Sequence, residues 1–144
     1  MEASIPENRP LAPDESSLVR WMLRHGSASA AGYVPQLDHA RVVSRCGCGC
    51  ASVDFAVEGA TPPLGDGIGI LADFEYRNID GHLCGAFVFE RAGLLAGLEV
   101  WSVDGQSTPS ALPAPSQLQP LGAAPDAEPG AAADGGGMTA FLDL

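Results

Sequence analysis

Lysine is missing from this chain of 144 residues, and its absence excludes several kinds of chemistry. The seven Lys or Arg positions are all arginine, against 18 acidic residues, so the formal net charge is −11. A chain without lysine has no P-loop lysine, no Schiff base and no Ser–Lys dyad. An acidic surface repels phosphate, so nucleic acids and anionic membranes are poor partners, whereas a basic protein is a better one.

Long apolar runs and export signals are also missing. No stretch approaches the roughly 18 apolar residues of a membrane span, and no basic region followed by an apolar segment begins the chain. We therefore expect a cytoplasmic protein whose four cysteines are reduced thiols. The sequence has no G-x-S-x-G motif, and its GDGIG segment (65–69) precedes a strand, which does not fit a nucleotide-binding fingerprint.

Composition separates one domain from two tails. Residues 1–13 are rich in proline and polar groups, and residues 123–144 begin with a segment of Ala, Gly, Pro and acids that buries too little apolar surface to order itself. Both tails are predicted to be disordered, and residues 14–122 are predicted to form one domain. The final MTAFLDL is apolar, and it either docks on a partner, folds back on the sheet or has no role.

Hydrophobic periodicity predicts helices first and strands afterwards. Residues 14–25 carry an apolar stripe behind an Asp14 N-cap, and a weaker helical stretch covers 27–38. The period then changes to two, which predicts strands at 41–45, 51–57, 68–76, 83–90 and 94–103. We expect an α+β fold in which N-terminal helices pack on a four- to five-stranded, mainly antiparallel meander sheet. The last two strands are apolar on both faces, which indicates two covered faces or a homodimer.

Three cysteines stand together in SRCGCGCASVDF, residues 44–55. Structural zinc needs four ligands, with neighbouring sulfurs about 4 Å apart. Alternate residues of a strand lie about 6.7 Å apart, so an extended C-G-C-G-C cannot close on one ion unless Gly47 and Gly49 curl the chain. His39 is a further candidate for the missing ligand. The candidate zinc ligands are Cys46, Cys48, Cys50, Cys84 and His82.

Two other interpretations of the cysteines stay open. The glycines would mark a bend at a strand entrance, with the cysteines as small buried hydrophobic residues. Alternatively, neighbouring thiols would form a disulfide under oxidation, although a C-x-C pair closes a strained ring and lacks the C-x-x-C setting that lowers a thiol pKa.

Acidic side chains follow the predicted strands. Asp73 and Glu75 share one face of a strand, and Glu99 shares a face of another strand with Trp101. Such acids belong to a solvated sheet face, to a binding surface or, if they border a cleft, to a sugar-binding or glycoside-cleaving site. The candidate partner-binding residues are Asp54, Asp73, Glu75, Glu99 and Trp101.

Three segments resemble small bacterial proteins that are known only as hypothetical. They are VPQLDHARVVSRCGCGCASVDF, LLAGLEVWSVDG and ALPAPSQL. The resemblance spans about residues 18–121 and implies that the cysteine stretch and the LEVW strand belong to one module. It implies no activity and no site residues.

These observations favour a non-enzymatic protein that acts by binding another protein. One concrete version, by analogy with small acidic α+β proteins, is an immunity protein that neutralises a basic toxin domain. The alternative is a small zinc- or thiol-metal-binding domain that uses the CGCGC stretch. A third hypothesis is an enzyme whose acids border a pocket with Trp101.

Overall fold

A computed structural model describes residues 4–60 and 67–120. Within these ranges the chain forms one α-helix, two 3-10 helices and seven strands. The elements are β1 (Ser4–Pro10), α1 (Pro13–Arg24), a first 3-10 helix (Ala30–His39), β2 (Ala40–Cys46), β3 (Val53–Val57), β4 (Gly69–Arg77), β5 (Leu83–Arg91), β6 (Leu94–Ser102), a second 3-10 helix (Pro115–Gln117) and β7 (Gln119–Pro120). The predicted α+β class is confirmed. The sheet has seven strands instead of four or five, and the second 3-10 helix follows β6, so the helices are not all N-terminal.

The strands form a single sheet in the order β1-β2-β3-β6-β5-β4-β7. Each neighbouring pair is antiparallel. The predicted meander exists as two halves, β1–β2–β3 and β4–β5–β6, which join where β3 pairs with β6 at Val53 and Leu98. β6 and β5 therefore lie between β3 and β4, whereas consecutive strands of a simple meander pair directly.

The predicted disordered arm contains the edge strand β1. Residues 4–10 pair with β2 although they include Pro6 and Pro10, because an edge strand needs ladder hydrogen bonds on one side only. Arg9 then fixes the strand to α1, since its guanidinium donates to both carboxylate oxygens of Glu15 at 2.8 and 3.0 Å. The strand was not predicted because its composition is polar and rich in proline, and because its pairing with β2 is made mainly by backbone groups.

Helix α1 covers one face of the sheet with a fully apolar stripe. Leu18, Val19, Met22 and Leu23 are at most 1% exposed. Each large side chain buried in this way contributes about 1.5–3 kcal/mol to folding. The helix begins one residue earlier than predicted and its N-cap is Ala12, not Asp14. The Ala12 N–H donates to the Glu15 carboxylate at 2.8 Å, which replaces the missing side-chain cap.

A bulge in β4 changes one predicted face. The alternation predicted that Ile68, Ile70 and Ala72 point the same way as Phe74 and Tyr76, but the register shifts between Ile70 and Ala72. Ala72, Phe74 and Tyr76 are buried in the core, whereas Ile70 lies opposite Phe89 and is 44% exposed. An extra residue at a bulge moves side chains from one face to the other.

The two faces of the sheet have different surroundings. We call the face toward α1 and the first 3-10 helix the covered face, and the opposite one the open face. The covered face carries the buried core, including Phe55, Val88, Leu98 and Val100. None of the described helices packs on the open face, although it also carries apolar residues. The prediction of apolar residues on both faces of β5 and β6 is thus confirmed.

Candidate functional site

The open face brings together all five predicted partner-binding residues. In the ladder, Asp73 of β4 lies opposite Phe87 of β5, which lies opposite Glu99 of β6. The next row joins Glu75 and Trp101 on either side of Gly85. Asp54 lies opposite Gly97, diagonal to Glu99. The side chains that were predicted separately therefore form one surface: Asp54, Asp73, Glu75, Glu99 and Trp101.

Aromatic rings on the open face lie over glycines. A Cβ at Gly97 would meet the ring of Phe89 at 2.5 Å, and one at Gly85 would meet the indole nitrogen of Trp101 at 2.5 Å. Each glycine lets a neighbouring ring lie flat on the strand, so Phe89 is only 6% exposed without any covering helix. Trp101 is 36% exposed, so part of its side chain is accessible to a partner.

Two acids on this face are half-buried and have no ionic partner among the described residues. Burial raises the pKa of Asp73, and one of its carboxylate oxygens is buried without a hydrogen-bond partner. Burial also raises the pKa of Glu99, and the nearby Asp54 carboxylate raises it further, against a smaller opposing effect of Ser52. A cation that approached the row Asp73–Phe87–Glu99 would stabilise the charged form of both carboxylates and lower the pKa of each.

The other two acids of the surface are oriented by neutral neighbours. The Ser44 hydroxyl donates to Asp54 at 2.6 Å, and the Gln119 amide donates to Glu75 at 3.2 Å. Neutral donors hold a carboxylate in place while leaving its charge uncompensated. These two positioning residues were not predicted, because they belong to other strands and only the register of the sheet reveals them.

Three arginines lie on the open face. Arg77 follows Glu75 by two residues in β4, and its guanidinium donates to the Gly81 carbonyl at 3.0 Å. Arg91 places its guanidinium 5.8 Å from the ring centre of Phe89, and Arg41 donates to the side chain of Asn8 at 3.0 Å. The four acids and three arginines leave the face with a charge of −1.

The cysteines form a second candidate site, at the edge of the sheet where β2 ends. Cys46 is the last residue of β2, and the chain then curls through Gly49, whose φ of +95° suits glycine. The Sγ atoms of Cys46, Cys48 and Cys50 all lie within 4.8 Å of one another. The chain therefore bends at the glycines, as one interpretation of the sequence held. The cysteines are not buried hydrophobic residues, however, because Cys48 is exposed and Cys46 and Cys50 are partly exposed.

Hydrogen bonds within the loop distinguish the three thiols. The Sγ atoms of Cys46 and Cys48 are 2.6 Å apart, and the Cys50 N–H donates to the Cys48 sulfur at 3.4 Å. The contact with Cys48 raises the pKa of Cys46 to about 12. The Cys46 and Cys50 thiols lower the pKa of Cys48. The Cys48 thiol, which is exposed, therefore loses its proton more readily than the Cys46 thiol.

The two other predicted metal ligands lie elsewhere. Cys84 is fully buried, with its sulfur 3.9 Å from the Ser107 hydroxyl, and the Nδ1 atom of His82 is 3.7 Å from the Asp104 carboxylate. Both belong to the region of β5, which β3 and β6 separate from β2. Three strand spacings amount to about 14 Å, beyond the reach of a shared ion.

A large cavity among the described residues does not contain the predicted acids. It has a volume of about 690 Å³ and lies between the 78–82 turn and residues 106–113, with Tyr76 and His82 in its lining. Trp101 and the acids of the open face do not line it. The enzyme hypothesis required a pocket bordered by Trp101, and this cavity does not supply it.

Comparisons of the chain with protein-family models, with curated proteins and with solved structures give no match. In the part of the chain that the structure describes, no helix is both long and apolar enough to cross a membrane.

Proposed function

We propose that the protein acts by binding a basic partner protein on the open face of its sheet. The observation that carries this proposal is the shared location of four carboxylates and three aromatic rings on a face that no described element covers. Aromatic side chains supply contact area, and uncompensated carboxylates supply electrostatic steering toward arginine or lysine.

Charge favours a basic partner over the two occupants that the chain itself could offer. A second copy would bring another open face with four acids and a charge of −1 against the first. The C-terminal segment 121–144 carries four acids and no basic residue, so it is also repelled. A partner that presents arginines between apolar side chains matches both the acids and the rings.

An immunity protein is the concrete version that we propose. A small acidic protein that occupies the basic surface of a toxin domain would need a rigid, negatively charged face with an apolar centre. This version predicts that the chain protects cells from a basic toxin encoded beside it and co-purifies with that toxin at low salt.

The proposal is tested with a defined probe and the full chain. The probe is an eight-residue peptide of alternating arginine and leucine, compared with a peptide in which glutamine replaces arginine. We expect the arginine peptide alone to shift the amide resonances of β4, β5 and β6 and to quench Trp101 fluorescence. The double variant Asp73→Asn/Glu99→Gln should lower its affinity at least about tenfold, which corresponds to about 1.4 kcal/mol.

A matched control separates a specific surface from general acidity. Glu58→Gln/Asp80→Asn removes the same charge from exposed loop positions, and it should leave the affinity within about twofold. Equal losses in the two double variants would refute the open face as the site. Concentration-dependent dimerisation through Trp101, with no peptide binding, would instead identify a second copy as the occupant.

A further inference from the structure

We infer that Cys46, Cys48 and Cys50 form a three-coordinate site for one thiophilic metal ion, and that copper(I) is the ion it fits best. This inference is independent of the partner-binding proposal. It starts from the observation that all three sulfurs lie within 4.8 Å of one another. One ion bound to the three thiolates would involve the whole CGCGC stretch, whereas a disulfide would involve two of its cysteines.

The spacing of the sulfurs is close to what one ion requires. Three thiolates around an ion at metal–sulfur distances of about 2.3 Å stand about 4 Å apart. The observed sulfur–sulfur distances are compatible with this value: the Sγ atoms of Cys46 and Cys48 are 2.6 Å apart, and all three Sγ atoms lie within 4.8 Å of one another. The first two sulfurs must separate by about 1.4 Å, a small movement for an exposed loop that contains two glycines.

The number of ligands distinguishes copper(I) from zinc. Among residues 4–60 and 67–120, no other His, Cys, Asp or Glu joins the group. A structural zinc ion is almost always held by four protein ligands in a tetrahedron, so three thiols leave its shell incomplete. Thiolate sulfur is a soft ligand that selects copper(I), and three thiolates satisfy this monovalent ion without a fourth residue. Copper(I) therefore fits these three ligands better than zinc, which the sequence left open as an alternative.

The ends of the loop are anchored, so the sulfurs are held near one another before an ion arrives. The Cys46 N–H donates to the Ser52 carbonyl at 3.1 Å and closes the base of the loop. The Ala51 N–H donates to the Pro109 carbonyl at 2.9 Å and ties the loop to the segment after β6. The Cys50 sulfur donates to the Ser52 hydroxyl at 3.3 Å. Such anchoring lowers the entropy that binding must remove.

Binding is an exchange of protons for metal and involves no change of oxidation state. Each thiol loses its S–H proton to solvent as its sulfur bonds to copper(I), so one ion releases up to three protons. The product carries a net charge of −2.

The test uses the full chain, reduced and kept free of oxygen, titrated with copper(I) against a coloured copper(I) chelator. We expect one equivalent of copper per chain and an X-ray absorption spectrum that shows three sulfurs at about 2.3 Å. Each of Cys46→Ser, Cys48→Ser and Cys50→Ser should weaken binding at least about 100-fold, because loss of a supporting outer contact alone costs about 10–100-fold. Zinc should be displaced by one equivalent of copper.

Two control variants make the result decisive. Cys84→Ala removes the one cysteine outside the loop and should bind copper as the native chain does. Gly49→Ala keeps all three thiols but strains a backbone with φ of +95°, so it should weaken binding without changing the number of thiols. Binding that requires Cys84, or that survives each single serine substitution, would overturn the proposal. So would tighter binding of zinc than of copper, or a Cys46–Cys48 disulfide formed with no metal retained.

Discussion

The covered and open faces alternate along the same strands but bury apolar side chains by different means. On the covered face, Val88, Leu98 and Val100 are at most 1% exposed because helices pack over them. On the open face, Phe89 is 6% exposed because it lies on Gly97 of the neighbouring strand. The comparison shows that a sheet can shelter an aromatic ring with its own backbone. The acids between the rings then remain available for contact.

The largest expected effect is on the free energy of unfolding, which should fall much more when an apolar side chain is truncated on the covered face than on the open face. Leu98→Ala on the covered face should lower the free energy of unfolding by about 2–5 kcal/mol, because it leaves a cavity in a closed interior. Ile70→Ala on the open face should cost less than about 1 kcal/mol, because Ile70 is 44% exposed. Urea denaturation measures both values. Similar losses at the two positions would mean that the open face is covered in the native protein.

The next effect compares the two glycines beneath the rings. A Cβ at Gly97 would lie 2.5 Å from the Phe89 ring and 2.9 Å from the Val53 carbonyl oxygen, so both a side chain and the backbone must shift. Gly97→Ala should therefore cost about 1–3 kcal/mol.

At Gly85 the nearest atoms all belong to the Trp101 indole, which is partly exposed and can swing away. Gly85→Ala should cost less than Gly97→Ala, but it should increase the exposure of Trp101 and shift its fluorescence to longer wavelength. A larger loss of stability for Gly85→Ala, measured by urea denaturation, would contradict this account of how the two rings are sheltered.

The smallest effects are opposite responses to pH on the two sides of the sheet. Burial alone would raise the pKa of Glu15, but Arg9 and the Ala12 N–H outweigh it and lower this pKa below the ordinary value. The stability from Glu15 is present above its unfolded pKa of about 4.3 and is lost as the pH falls through the folded pKa. Glu15→Gln should therefore cost about 1–2 kcal/mol at pH 7, and less in acid.

Asp73 should show the opposite sign, because burial raises its pKa in the folded state. Its contribution is fully favourable below the unfolded pKa of about 3.9 and is lost as the pH rises through the folded pKa. Asp73→Asn should therefore stabilise the protein slightly at pH 7, with the difference from the native chain disappearing near pH 3. Denaturation across this pH range tests both variants, and Asp80→Asn in an exposed turn is the control. Curves for Asp73→Asn and Glu15→Gln with the same sign would refute this assignment.

The sequence predicted the long strands well because their alternation is strong. The predicted strand 83–90 matches β5 almost residue for residue, and 94–103 matches β6. The edge strand β1 was missed because Pro6 and Pro10 oppose the usual strand signal and its pairing depends on a distant partner, β2. Patterns within one segment do not contain such long-range information.

The candidate sites were predictable in composition but not in geometry. Alternation placed Asp73 with Glu75 on one strand and Glu99 with Trp101 on another, and the register of the sheet brings both pairs to one face. Their role in binding a partner stays a prediction. Alternation in β5 also placed Phe87 on the face opposite the buried Val88, although Phe87 was not chosen as a candidate partner-binding residue. The cysteine loop was not predictable, because its shape depends on the backbone angles near Gly49, and glycine permits both curled and extended chains.

The contact of Trp101 with Gly85 also constrains how this sequence can change over evolutionary time. Because the indole occupies the space where a Cβ at position 85 would stand, a side chain added at position 85 alone would displace the indole, whereas position 101 can become smaller without a clash. A smaller side chain at position 101 would open room for alanine or serine at position 85, and the reverse order of change would meet a steric barrier. We therefore expect these two positions, 16 residues apart in the chain, to have changed as a pair in any relative that shares this sheet.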